Sequence, residues 1–191
     1  MANGYASNVD WDAIKQAKSS QYGLRFHADF FDEAHHKFDY QDGLVHLYAN
    51  GDSEIHYTTP DKKSIWHVGD KFSVYNEIYN HVDLNLNDVA ELALYPLLLT
   101  SSQLEKSFNI NKKDNTYVLK PKINKKNLLI SQINISLDKR NRLQSYTVTD
   151  KVGYQHTFTF HQNGHEKLRQ NIQINYPKTA EVVNHDRYTK I

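Results

Sequence analysis

Residues 24–31 read L-R-F-H-A-D-F-F, with Leu24, Phe26, Ala28 and Phe30 on one face of an extended chain and Arg25, His27, Asp29 and then Phe31 on the other. A period of two is the mark of a half-buried β-strand. The pattern repeats outward from this stretch. Asp42-Gly43 is a turn signal between Tyr40 and a strand at 44–48, and Asn50-Gly51-Asp52 is a tight turn leading into 54–59. Pro60-Asp61 and Gly69-Asp70 then punctuate strands at 63–68 and 71–75, and residues 79–86 end in the alternating H-V-D-L-N-L. No crossover helix interrupts this run, so a meander is expected.

The second half returns to the same period. Strands are expected at 108–111, 116–122, 129–137, 143–149, 154–161 and 170–176, separated by turn chemistry at Lys113-Asp114-Asn115, 138–142, Gly153 and Asn163-Gly164. That makes about eleven strands in a chain of 191 residues with no internal repeat, linker or low-complexity tract, so a single domain over 1–191 is expected. So many antiparallel strands must curl or split. The fold class is mainly β with a few helices.

One helix is expected at about 8–21, with Ser7 or Asn8 as cap, Asp10 and Asp12 in its first turn, and a narrow stripe of Trp11, Ile14 and Ala17. A second apolar element, V-A-E-L-A-L-Y-P-L-L-L-T at 89–100, stands out in a chain of mean hydropathy −0.73. It is too short to span a bilayer, and Pro96 breaks or kinks any helix there. With a cap at Asn87 or Asp88 and a finish at 103–106, it reads as a greasy plug packed on a larger body.

Net charge is +1, which argues against a protein that lives by phosphate contacts; no nucleic acid is expected as a partner. The sum conceals a split of −8 over residues 1–104, +7 over 105–151 and +2 over the rest. The basic block is either a steering surface or a set of solvated Lys-rich turns. Cysteine is absent, which removes disulfides, a thiol nucleophile and a lipid-anchoring Cys. The start, M-A-N-G-Y-A-S-N, shows neither a basic n-region nor an apolar h-region, and reads as a cytosolic start or as a mature chain whose signal peptide has been removed.

The densest polar cluster is H-A-D-F-F-D-E-A-H-H at 27–36. His27 and Asp29 share a strand face while the His35-His36 pair splits across two, and H-E-x-x-H is missing. A metal-dependent enzyme on His27, Asp29, His35 and His36 competes with solvent-facing polar positions near a strand end, and the second is preferred. His156 and His161 differ by an odd number and face opposite ways. There is no nucleophile elbow, no Gly-rich phosphate loop and no isolated carboxylate pair. No catalytic residue, metal or cofactor is expected. Apolar chemistry remains: Leu24, Phe26, Phe30, Val45, Leu47, Ile55, Tyr57, Ile65, Ile133, Ile135, Tyr146 and Val148 can line one sheet face, as a filled core or as a cavity under a lid.

Several strings, in order, resemble the outer-membrane lipoprotein carrier family, LolA: F-H-A-D-F at 26–30; Y-T-T-P-D at 57–61 with G-D-K-F-S-V-Y-N at 69–76; Y-P-L-L-L at 95–99; Y-V-L-K-P-K at 117–122; and I-N-I-S-L-D-K-R-N-R-L-Q-S-Y at 133–146. Together they run through roughly residues 8–183. The resemblance implies an open, strongly curved half-barrel of eleven antiparallel strands, closed by the N-terminal helix and by a helical lid at about 87–106. It further implies a periplasmic carrier, monomeric and without a cofactor, that shields lipoprotein acyl chains between an inner-membrane exporter and an outer-membrane acceptor. Leu24, Phe26, Phe30, Val45, Leu47, Ile55, Ile65, Ile133 and Tyr146 would line the wall, and Leu92, Leu94, Leu97 and Leu99 the lid. The family places an Arg followed by Pro near the end of the second strand to latch the lid. Here that place reads Y-A-N-G, with Ala49 in the Arg position, so the latch does not transfer and a carrier of another lipid stays open.

Overall fold

The computed structural model describes residues 23–48, 50, 52–86, 101–122, 129–140, 142–161 and 172–185. Alternation builds six strands in succession: β1 (Leu24–Phe31), β2 (Lys37–Leu47), β3 (Ser53–Thr59), β4 (Lys63–Val68), β5 (Lys71–Asn76) and β6 (His81–Leu86). Helix α1 (Ser101–Ser107) follows, then β7 (Phe108–Lys113), β8 (Thr116–Pro121), β9 (Ile130–Leu137), β10 (Leu143–Asp150), β11 (Gln155–His161) and β12 (Glu181–Asn184). All twelve strands join one open sheet, ordered β12, β6, β5, β4, β3, β2, β1, β11, β10, β9, β8, β7. The first strand thus lies at the centre, zipped to β11 from Arg25 opposite His161 to Phe31 opposite Gln155. β6 and β7, consecutive in the chain, fall in opposite halves.

The core occupies one face. Tyr117, Ile135, Tyr146, Phe158 and Ala28 stand opposite one another in turn, forming a row across five strands. Val45 continues the face opposite Leu24 and Ile55, and Ile55 lies opposite Ile65. Leu104 of α1 is fully buried in the same cluster. A side-chain-free position makes the seam possible: Gly43 faces Phe26 across β1 and β2, where a Cβ would lie 2.5 Å from both the Phe26 ring and the His56 carbonyl oxygen.

The other face is polar over β7 to β11, where Thr116 meets Ser136 and Thr147 meets Thr157, each pair at 3.2 Å. Over β3 to β5 it buries Trp66 beside Glu54 and Ser73. The Glu54 carboxylate, 6% exposed, accepts from His46 Nδ1 at 2.6 Å and from the Tyr48 hydroxyl at 2.9 Å, with His56 Nε2 at 3.6 Å. Burial alone would raise this carboxyl, but the hydrogen bonds from His46, His56 and Tyr48 outweigh it and hold the group well below the usual carboxylate range.

Several expectations need correction. Among the described residues the sheet has twelve strands, not eleven, and it is not wholly antiparallel, because β12 runs parallel to β6. Residues 172–176, inside the strand expected at 170–176, are not a strand; the segment that joins the sheet is Glu181–Asn184. Docking fixes it there, with Asn80 Nδ2 donating to the Thr179 carbonyl at 2.8 Å and Asn85 Nδ2 to Asn184 Oδ1 at 3.0 Å. Asp42-Gly43 is not a turn: β2 runs through it with a register shift, the glycine serving the Phe26 contact instead. Among the described residues α1 is the one helix, seven residues long, so a complete helical lid is not seen. The expected helix at 8–21 and the run at 89–100 lie outside the described residues.

Gly43→Ala is expected to destabilise the protein by about 1–3 kcal/mol in urea unfolding, because the Phe26 ring and a fixed carbonyl must both give way. For Glu54 the folded pKa is depressed, so its stabilisation is present above the ordinary value of 4.5 and is lost as pH falls below it. Thermal midpoints taken from about pH 5 to about pH 3 should therefore fall more steeply in the wild type than in Glu54→Gln.

Candidate functional site

The core face is the strongest candidate site. It brings together the nine wall residues that sequence singles out and the structure describes: Leu24, Phe26, Phe30, Val45, Leu47, Ile55, Ile65, Ile133 and Tyr146 all belong to or pack on one apolar cluster. Leu92, Leu94, Leu97 and Leu99, and likewise Ala49, lie outside the described residues. Phe26 is the hub, with ring centroids 5.6 Å from Tyr57, 5.6 Å from Phe158 and 6.4 Å from Phe160, all in edge-on geometry. Sequence reasoning passes over Phe158 and Phe160, yet their alternation in Q-H-T-F-T-F-H marks them as inward once β11 is known to pair with β1. Leu104 is missed as well, since a single leucine in S-S-Q-L-E-K-S carries no period.

This face reaches the surface at one end of the sheet. Phe30 packs on the cluster and meets His156 at 4.6 Å and Phe38 at 6.4 Å, and Phe38 meets Tyr154 at 6.0 Å. Phe38 is 59% exposed, and Ile78, Tyr79, Leu129 and Val152, at or beside turns of that same end, are exposed too. An aromatic path therefore runs from solvent into the core. A small cleft of about 110 Å³ between Tyr57, Thr58, Lys62, Lys63, Ser64, Tyr75 and Glu77 opens nearby. It is well under the roughly 300 Å³ of ordinary small-molecule pockets.

Few polar atoms intrude on the core face. Tyr146 is fully buried and its hydroxyl has no hydrogen-bond partner; burial pushes its pKa well above the ordinary value. His156 faces inward opposite Phe30 and Val148, and its Nδ1 is also buried without a partner. Burial lowers the His156 pKa against the opposing charge of Asp150, which favours the neutral ring.

The histidine and carboxylate cluster at the start of the chain is arranged otherwise. His27 and Asp29 do share the outer face: His27 Nδ1 bonds Asp42 at 2.6 Å and its Nε2 approaches Asp29 at 3.1 Å, while Lys37 pairs with Asp29. The Asp42 bond leads in raising the His27 pKa, with burial opposing it. His35 and His36 are not in a strand but in the turn after β1, where the Asp32 carboxylate accepts the backbone N–H groups of Ala34 and His36. No group of three or more His, Asp or Glu among the described residues is placed to hold a metal ion.

Comparison with known proteins follows this architecture. No curated protein matches the chain significantly. Among solved structures, an uncharacterized conserved protein from Thermus thermophilus superposes with a TM-score of 0.55 at 10% identity, covering 91% of this chain and 96% of its own. MucB gives 0.50 at 14% identity over 94% of this chain and 66% of its own. A LolA-superfamily protein from Nitrosomonas europaea gives 0.47 at 11% identity over 84% and 92%. At these identities the likeness concerns the fold. The family model for the outer membrane lipoprotein carrier protein LolA, however, matches residues 19–172, and this chain belongs to the LolA family.

Proposed function

We propose that this protein is a periplasmic carrier that shields the acyl chains of lipoproteins on the core face and takes them from an inner-membrane exporter to an outer-membrane acceptor. The carrying observation is the continuous apolar face from β4 through the central β1 to β8, joined to the surface by Phe30, Phe38 and Tyr154. A face of this kind holds hydrocarbon by area alone, at about 0.8 kcal/mol per buried CH₂ group, and so binds chains reversibly without polar recognition. No nucleotide or cofactor is needed if affinity rises along the route.

Chain connectivity supports a lid. The chain leaves the sheet at Leu86 of β6 and returns through α1 to Phe108 of β7, in the opposite half, so the segment 87–107 has to link the two. That segment carries Leu92, Leu94, Leu97 and Leu99, and its described end delivers Leu104 into the core. With Ala49 where the family has Arg, closure in this reading rests on apolar contacts such as that of Leu104. The same substitution favours, as a second reading, a carrier of another lipid or glycolipid.

A fluorescent acyl-peptide should bind the purified monomer, and Phe30→Asp or Leu97→Asp should each weaken binding at least about tenfold, since a charge must then be desolvated on an apolar wall. Affinity unchanged in both variants would refute the carrier reading. Mass spectrometry of lipid that copurifies with the protein separates lipoprotein from free lipid or glycolipid cargo.

A further inference from the structure

Two of the orphaned polar atoms of the core face belong to adjoining strands. Tyr146 of β10 stands opposite Phe158, and Val148 stands opposite His156, so Tyr146 and His156 are diagonal partners on the same face of adjoining strands. Diagonal positions have Cβ atoms about 7–8 Å apart, within reach of aromatic side chains. Tyr146 is fully buried and His156 half-buried with its Nδ1 covered, and neither the Tyr146 hydroxyl nor the His156 Nδ1 has a partner. Phenylalanine at either position would offer similar apolar bulk with no polar atom to satisfy.

Location adds direction. His156 shares its row with Phe30 and lies one step closer than Tyr146 to the end where Phe38 and Tyr154 meet solvent. Away from that end the rows over β9 to β2 are apolar, Phe160 opposite Phe26, then Leu143 opposite Leu137 and Leu24 opposite Val45, while the row of Leu47 also holds Ser53 and His67. An amphiphile laid on this face would have its head-proximal atoms at Tyr146 and His156 and its tail along those rows.

We propose that the Tyr146 hydroxyl and the His156 Nδ1–H together grip the carbonyl oxygen of the ester or amide that joins a fatty-acyl chain to its head group. The inference rests on the carrier reading and sharpens it, from any hydrocarbon to acyl esters and amides. With the neutral His156 ring protonated at Nδ1 both groups are donors, and a carbonyl oxygen has two lone pairs to accept them. The pair also discriminates against free fatty acids. Burial favours the neutral His156 ring and Asp150 lies within electrostatic range, so a carboxylate here would be desolvated with no cation among the described residues of this row to balance it.

Displacement of a bound fluorescent hydrophobe by methyl laurate, N-methyl lauramide, dodecane and laurate tests this on the full chain. The wild type should bind the ester and the amide about tenfold more tightly than dodecane, and laurate more weakly than the ester. In Tyr146→Phe combined with His156→Phe, the ratio of ester to dodecane affinity should collapse to under about twofold. A preference that survives the double substitution overturns the proposal. So does a wild type that binds ester and dodecane equally, a result that leaves the carrier reading standing. Failure of the wild type to bind any of the four defeats the carrier reading and this one with it. Tyr146→Phe alone should leave the thermal midpoint of the free protein unchanged or raised; a fall would mean the hydroxyl is bonded without cargo, and would also contradict the grip.

Discussion

The antiparallel pairing of β1 with β11 is the constraint on which the rest depends. It joins residues more than a hundred positions apart, with Phe26 opposite Phe160 and Ala28 opposite Phe158. Without it the chain would hold one run of strands from β1 to β6 and another from β7 to β11, each with a raw edge. With it the two become one sheet with a continuous apolar face. Phe26 sits on the seam and touches rings from both halves, Tyr57 on one side and Phe158 and Phe160 on the other. Gly43 allows it to lie there. Such a long-range pairing is entropically slow to form, so local hairpins of the two halves should precede it in folding.

Once the seam exists, the consecutive strands β6 and β7 are held in opposite halves and the chain between them must link the two. An apolar segment in that link is then forced to choose between water and the core face, and Leu104 shows that its described end chooses the core. The same rows that stabilise the sheet are therefore the rows a hydrocarbon cargo would use. The other face has a different task. Its hydroxyl and amide pairs over β8 to β11 keep that side wettable, while the Glu54 carboxylate ties β2 to β3 through charge-assisted bonds and His56 bonds Ser64 of β4.

Much of this was open to reading from the residues because strands with one buried face write their period plainly. Leu24, Phe26 and Ala28, or Ile133, Ile135 and Leu137, declare both the strand and the inward side. Pairing partners are less visible. Asp42-Gly43 reads locally as a turn, yet in β2 the glycine answers to Phe26 on another strand, a contact no local window contains. β12 has only Glu181–Asn184 and is held by asparagines about a hundred residues away, so its place in the sheet is a tertiary effect. The alternation at 170–176 finds no ladder over its described part. His156 has the parity of Phe158 and Phe160 and was legible as an inward residue, but a histidine on an apolar face draws attention only when its lack of a partner is seen.

Photo-crosslinking tests the central claim most directly, because it asks where an acyl chain lies. A peptide carrying a diazirine-tagged acyl chain, bound to the purified protein and irradiated, should label core-face residues of the central strands, such as Phe26, Ile133, Val148 and Phe158, as mapped by mass spectrometry. Labelling confined to the polar face around Thr147 and Asn134, or to the exposed Phe38 and Tyr154 with none on the core face, would contradict the account.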